Sequence, residues 1–269
     1  MSVKREAKRT ASTVANSRAL TLLARGGYGA SALVHLLLGY LAIRVAFHHS
    51  AESDQSGALA QISKLPGGTV ILWLTVVGLA ALGLWYLVEG ALGIGSAWKQ
   101  RWMRTVMMCA KAVAYIALAV TALSFARGTG TSAKNSTRHA SSAILDLPGG
   151  QWLLGLIGLI AVGVGGYFIY KGAKQKFRDD VRVPTGAVRR PLLALGICGY
   201  VAKGIAICIA GVLFVVAAVQ VDPSNASGLD GALKSLTKVP FGAVLLVVIG
   251  VGLIAYGVYT FARARLAKL

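Results

Sequence analysis

Leu65-Pro66-Gly67-Gly68 opens an apolar run from Thr69 to Val88, and the chain uses the same device twice more. Leu147-Pro148-Gly149-Gly150 precedes the run Gln151–Tyr170, and Val239-Pro240-Phe241-Gly242 precedes Ala243–Phe261. Counted from each proline, position +17 is Gly83, Gly165 or Gly257, and position +23 is Glu89, Lys171 or Arg263. The prolines stand 82 and then 92 residues apart. Matched punctuation at such a period is an internal repeat, and a repeat sets architecture ahead of any other feature. Pro66, Pro148 and Pro240 are each expected at a helix start, where the missing N–H costs nothing and φ is already helical.

Composition decides what solvent the repeat faces. Hydrophobic residues make up 56% of the 269 and charged residues only 14%. Six apolar blocks are long enough to cross a bilayer core as helices: Tyr28–Phe47, Thr69–Val88, Val106–Ala126, Gln151–Tyr170, Leu195–Val219 and Phe241–Phe261. No alternating pattern of the kind a membrane barrel needs is present. The predicted fold is therefore an all-α integral membrane protein. Its six transmembrane helices form three tandem two-helix repeats with approximate threefold symmetry. The units run 25–98, 104–178 and 191–267, behind a basic N-terminal segment, 1–24.

The formal charge of +19 is distributed by side. Residues 1–27 and the connections 89–107, 171–194 and 263–269 carry six, three, seven and three Lys/Arg, nineteen in all. The opposite loops, 48–68, 127–150 and 221–240, carry six. Lys/Arg-rich short loops stay cytoplasmic, which predicts both termini inside a plasma membrane. That surface is expected to attract anionic lipid headgroups, each basic residue adding roughly 1 kcal/mol. Nucleic acid is excluded as a partner by the same segregation. The predicted partners are the lipid bilayer and another membrane protein.

Small residues punctuate the helices. Gly27-Tyr28-Gly29-Ala30-Ser31 in the first repeat matches Gly199-Tyr200-Val201-Ala202-Lys203 in the third, and Met108-Cys109-Ala110-Lys111 stands in the second. Eight residues past Ser31, Lys111 and Lys203 come Gly39, Ala119 and Gly211. Small residues let helix backbones approach in lipid, so Gly83, Gly165 and Gly257 are expected at helix crossings. Two of the loops opposite the termini end alike, at 57–66 and 231–240, with apolar residues on one helical face; each predicts a short interfacial helix. The basic-side loops read as hydrophilic connectors.

Three two-helix units with these proline-glycine signatures resemble the bacterial family called domain of unknown function 1206, over roughly residues 25–267. The resemblance implies a multi-pass inner-membrane protein and no assigned reaction. Ser31 departs from the pattern set by Lys111 and Lys203.

Charged groups within apolar helices are the first functional candidates. Lys203 and Lys111 either snorkel to the interface, pair with Glu89, or hold an anionic ligand or lipid headgroup. Glu89 is expected at the interface by analogy with Lys171 and Arg263. His35 reads as a polar helix-packing contact. His48, His49 and His139 lack the spacing of a metal site, and Cys109, Cys198 and Cys208 form no redox pair. No nucleophile–base pair, paired carboxylates or phosphate-binding loop appears, so neither a catalytic activity, a metal nor a cofactor is expected. Two functions remain: a structural or accessory membrane protein binding lipids or partner helices, and a small-solute or ion transporter with a site near the repeat axis.

Overall fold

The computed structural model describes residues 18–47, 52–92, 98–130, 132–181 and 183–266. Its helices are α1 (Arg18–Ala46), α2 (Gln55–Ser63), α3 (Gly68–Leu92), α4 (Trp98–Ala126), α5 (Ala133–Leu145), α6 (Gly150–Ala173), α7 (Arg189–Gln220), α8 (Gly228–Leu236) and α9 (Gly242–Leu266). The basic segment 1–24 lies outside the described residues up to position 17, as do His48 and His49. Six stretches are long and apolar enough to cross a membrane: Arg25–Ala46, Gly68–Val88, Thr105–Ala126, Gly150–Ala173, Gly186–Gln220 and Gly242–Leu266. Each contains most or all of one predicted span, and the repeats are the hairpins α1/α3, α4/α6 and α7/α9.

The prolines stand ahead of the helices, not at their first position. Gly68 N–H donates to Leu65 O at 2.8 Å, Gly150 N–H to Leu147 O at 2.8 Å, and Gly242 N–H to Val239 O at 3.0 Å. Each motif is thus a four-residue turn with proline second. Its third residue is left-handed: Gly67 has φ 74°, Gly149 75° and Phe241 59°. Proline followed by a positive φ is the signature of a type II turn. The fourth residue has a different constraint. A Cβ on Gly68, Gly150 or Gly242 would lie 2.0 Å from Ile62 O, 1.8 Å from Ile144 O or 1.6 Å from Leu236 O. The turn folds the long helix so tightly beneath the preceding short one that only glycine fits.

The short helices form a lid over one end of the bundle. Ala58, Leu59 and Ile62 of α2, and Ala232, Leu233 and Leu236 of α8, are buried against α1, α3 and α9. Polar bonds join the lid. Asp230, fully buried, accepts from Ser53 N–H at 2.8 Å and pairs with Lys234 at 2.9 Å and Lys134 at 3.9 Å. Ala133 N–H donates to Ser56 Oγ, tying α5 to α2.

The seams between repeats follow one rule. The second helix of each repeat packs antiparallel on the first helix of the next, and the last returns to the first: α3 on α4, α6 on α7, α9 on α1. A Cβ on Gly83 would meet Ile116 Cγ1 at 2.8 Å and Ala112 O at 3.3 Å. On Gly165 it would meet Gly204 O at 2.6 Å, and on Gly257 Leu36 Cγ at 2.8 Å and Ala32 O at 3.0 Å. Ala112, Gly204 and Ala32 are repeat equivalents, each following Lys111, Lys203 or Ser31. Seven residues away, Gly158 meets Gly211 and Gly250 meets Gly39. A small-residue period of seven keeps two helices in contact at a shallow left-handed crossing.

Within the hairpins the symmetry breaks. α1 packs on α3 and α7 on α9, but α4 and α6 form no comparable contact among the described residues. Gly27 backs onto Gly78 O and Leu82, and Gly199 onto the Tyr256 backbone. Gly252 likewise meets Ala202. In the second repeat the equivalents of these glycines are Met107 and Ile160, 41% and 57% exposed. Two bulky side chains stand where two close backbones are needed, so the hairpin α4/α6 stays open.

Candidate functional site

The half of the bundle away from the lid is filled by rings and cations. Tyr115 of α4 stacks on Tyr86 of α3 at 5.6 Å between centroids. Tyr86 and Tyr28 share a hydroxyl hydrogen bond of 2.8 Å. The Arg263 guanidinium of α9 lies 4.8 Å from the Tyr28 ring centroid and donates to the Tyr200 hydroxyl at 3.4 Å. Tyr200, 1% exposed, is then surrounded by Phe168, Phe177, Tyr256 and Tyr259 at 5.2–5.9 Å. All six long helices contribute to this cluster.

Its base is closed by the segment after α6. The 3₁₀ turn Lys176–Asp180 inserts Phe177, fully buried, under α7, where Gly196 leaves room for its ring. The connection read as a hydrophilic linker therefore supplies core, because one aromatic among many charges carries no periodic signal. Asp180 pairs with Lys171 at 2.5 Å and Arg263 at 3.7 Å. Burial pushes its carboxyl up, but Arg263 first, then Lys171, with Lys111 acting from α4, hold it below the ordinary value.

The candidate residues divide. The Lys203 ammonium sits 4.4 Å from the Tyr256 ring centroid and 5.2 Å from that of Phe168, and donates to the Tyr256 hydroxyl at 3.4 Å. Among the described residues no carboxylate lies within ion-pair distance of it. Lys111 sits 5.1 Å over the Tyr86 ring. The Glu89 side chain lies outside the described part of the structure, so the Lys–Glu89 pairing, one of the three alternatives for these lysines, does too. His35 bonds Ser31 O through Nδ1 at 2.7 Å and packs 4.7 Å from the Tyr256 ring. Cys109 and Cys198 are exposed and unpaired, and no group of three metal-ligating side chains occurs among the described residues.

The lysines follow the seam rule, and here the sequence carried a signal that repeat-by-repeat reading missed. Lys111 faces Tyr86, and Lys203 faces Phe168; both rings are position +20 of the preceding repeat. Where the lysine becomes Ser31, position +20 of the third repeat is Thr260. Position +23 behaves alike. Lys171 lies 5.5 Å over Tyr200 and Arg263 over Tyr28, whereas Glu89 corresponds to Met108. Cation and ring change together because they meet across a seam, and a cation over a ring is worth ~0.5–2 kcal/mol.

These features define a class: a membrane protein of six spanning helices, built as three hairpin repeats around an aromatic–cationic interior and lidded at one end. The chain belongs to the family described as Domain of Unknown Function (DUF1206), which it matches three times, over residues 26–93, 106–175 and 198–267. It is also similar to the Uncharacterized protein YxxB of Bacillus subtilis (strain 168), 29% identical over 246 residues, covering 89% of this chain and 88% of that protein. No solved structure matches it.

Proposed function

We propose that this is a structural or accessory protein of the bacterial plasma membrane that binds lipids or other membrane proteins and catalyses no reaction. The carrying observation is the filled interior. Leu59, Ile62 and Leu233 stopper one end, and Phe177, Tyr200 and Tyr259 occupy the other, all at most 1% exposed. The six long helices also run unbroken, where transporters use interrupted helices near the midplane to hold substrate.

The charge asymmetry supports termini in the cytoplasm and the lid outside. Single cysteines at Ser63, Ser136 and Ser224, all exposed on the lid side, are expected to react with an impermeant maleimide in intact cells, and one at Lys174 is not. The functional reading is tested in proteoliposomes under an imposed proton or potassium gradient. The expected flux equals that of protein-free vesicles. A flux abolished by Lys203→Met would replace this reading with a transporter.

A further inference from the structure

The geometry points to a lateral binding site for a membrane lipid with an anionic headgroup, entered between α4 and α6. The cleft is a specific departure from the repeat, not merely an apolar surface facing lipid. Ala202, 6% exposed, is buried against Gly252 within the third hairpin, while its equivalent Ala110 is exposed. Leu82 and Tyr256 are 0% and 6% exposed, while their equivalent Val164 is 43% exposed. Met107, Ala110, Ile160 and Val164 thus line an opening where the other two hairpins are closed.

Charge identifies the occupant. The opening adjoins the cluster along both helices: Phe168, under the Lys203 ammonium, follows Val164 by one turn of α6, and Lys111, over the Tyr86 ring, follows Met107 by one turn of α4. Below them Lys171 and Arg263 share the Asp180 carboxylate, and buried Arg263 Nε has no hydrogen-bond partner among the described residues. Among the described residues, Lys203, Lys171 and Arg263 thus have one carboxylate within ion-pair distance, Asp180. A phosphate diester would complement them, and one acyl chain would fill the apolar gap left by the missing α4/α6 contact. Membrane helices keep charged residues where they line a pathway or meet a partner. The aromatic walls suit a headgroup at the boundary of the hydrocarbon. This rests on the accessory reading, which the flux measurement tests separately.

The test is native mass spectrometry of the purified protein after exchange into mixed micelles holding equal dioleoylphosphatidylglycerol and dioleoylphosphatidylcholine. The expected result is preferential retention of phosphatidylglycerol. Lys203→Met should lower that retention about fivefold, the scale of one basic residue at an anionic leaflet. Ala110→Trp, which plugs an exposed site, should abolish it without lowering the melting midpoint. Lys64→Met, exposed at the opposite, lid end of the bundle, should leave it unchanged. Equal retention of the two lipids, or retention indifferent to Ala110→Trp, would overturn the proposal. A dimer that Ala110→Trp splits would also overturn it, assigning the cleft to a second copy of the chain.

Discussion

The glycine cluster Gly163-Val164-Gly165-Gly166 offers three alanine substitutions within one helical turn, and the seam geometry separates them. At Gly163 and Gly166 a new Cβ meets nothing within 4 Å. At Gly165 it would lie 2.6 Å from Gly204 O and 2.8 Å from Cys208 N, both backbone atoms that no rotamer change can move. Reaching the 3.4 Å of ordinary contact requires α6 and α7 to separate by about 0.8 Å. Overpacking of this kind costs ~1–3 kcal/mol. Each substitution also gains up to ~1 kcal/mol from alanine's helix propensity. Gly163→Ala and Gly166→Ala should therefore be neutral or stabilising. Gly165→Ala should fall below them by ~1–3 kcal/mol, since the propensity gain is common to all three. The assay is equilibrium unfolding in dodecyl maltoside with added sodium dodecyl sulfate, followed by far-ultraviolet circular dichroism. A Gly165→Ala midpoint equal to that of Gly163→Ala would refute the close crossing.

Phe241 holds a left-handed φ of 59° with its ring 86% exposed, where the other repeats have glycine; Phe241→Gly should stabilise by ~1 kcal/mol in the same assay, and a loss would refute the strained turn. Gly242→Ala, whose Cβ would reach 1.6 Å from Leu236 O, should instead be among the most destabilising changes in the chain, and a melting midpoint equal to wild type would refute the turn geometry. Asp54 caps α2 by accepting from Gly57 N–H at 3.0 Å, yet burial, with help from Asp230, raises its carboxyl above the ordinary 3.8. A carboxyl raised by folding favours the folded state below its unfolded pKa, and that contribution is lost as pH rises through the folded value. Asp54→Asn keeps the cap and should flatten the pH dependence of the melting midpoint above pH 3.8, whereas Asp54→Ala should lose ~1 kcal/mol; an unchanged slope in Asp54→Asn would remove Asp54 from the account.

The architecture was legible because lipid imposes few rules. Apolar length marks each span, and Pro66, Pro148 and Pro240 mark the repeats. Gly83, Gly165 and Gly257 stand out because glycine has few reasons to recur in a helix. Proline's preference for the first helical position predicts Pro66, Pro148 and Pro240 there; the structure puts them in the turn ahead of it, a role that the following Gly67 and Gly149 signal. The aromatic cluster was not legible from any single repeat. Tyr86 serves Lys111, Phe168 serves Lys203 and Arg263 serves Tyr28, so each pair spans a repeat boundary. The cleft was present as Met107 and Ile160, but two apolar residues in an apolar helix show no anomaly until their partners are known to be glycines. The Glu89 side chain, like His48 and His49, lies outside the described residues.

The central claim is that three equivalent hairpins close in two cases and stay open in the second. It is tested most directly by three equivalent cysteine pairs in a background lacking Cys109, Cys198 and Cys208: Gly27→Cys with Leu82→Cys, Met107→Cys with Val164→Cys, and Gly199→Cys with Tyr256→Cys. The first and third pairs place Cβ positions 2.7 Å apart, so the outward shift of about 1 Å that relieves the new Cβ atoms of Gly27→Cys and Gly199→Cys from the facing backbone also brings each pair to bridging distance. Oxidation in native membranes should cross-link these two and leave the Met107/Val164 pair reduced. Cross-linking of all three at equal rates would contradict the account.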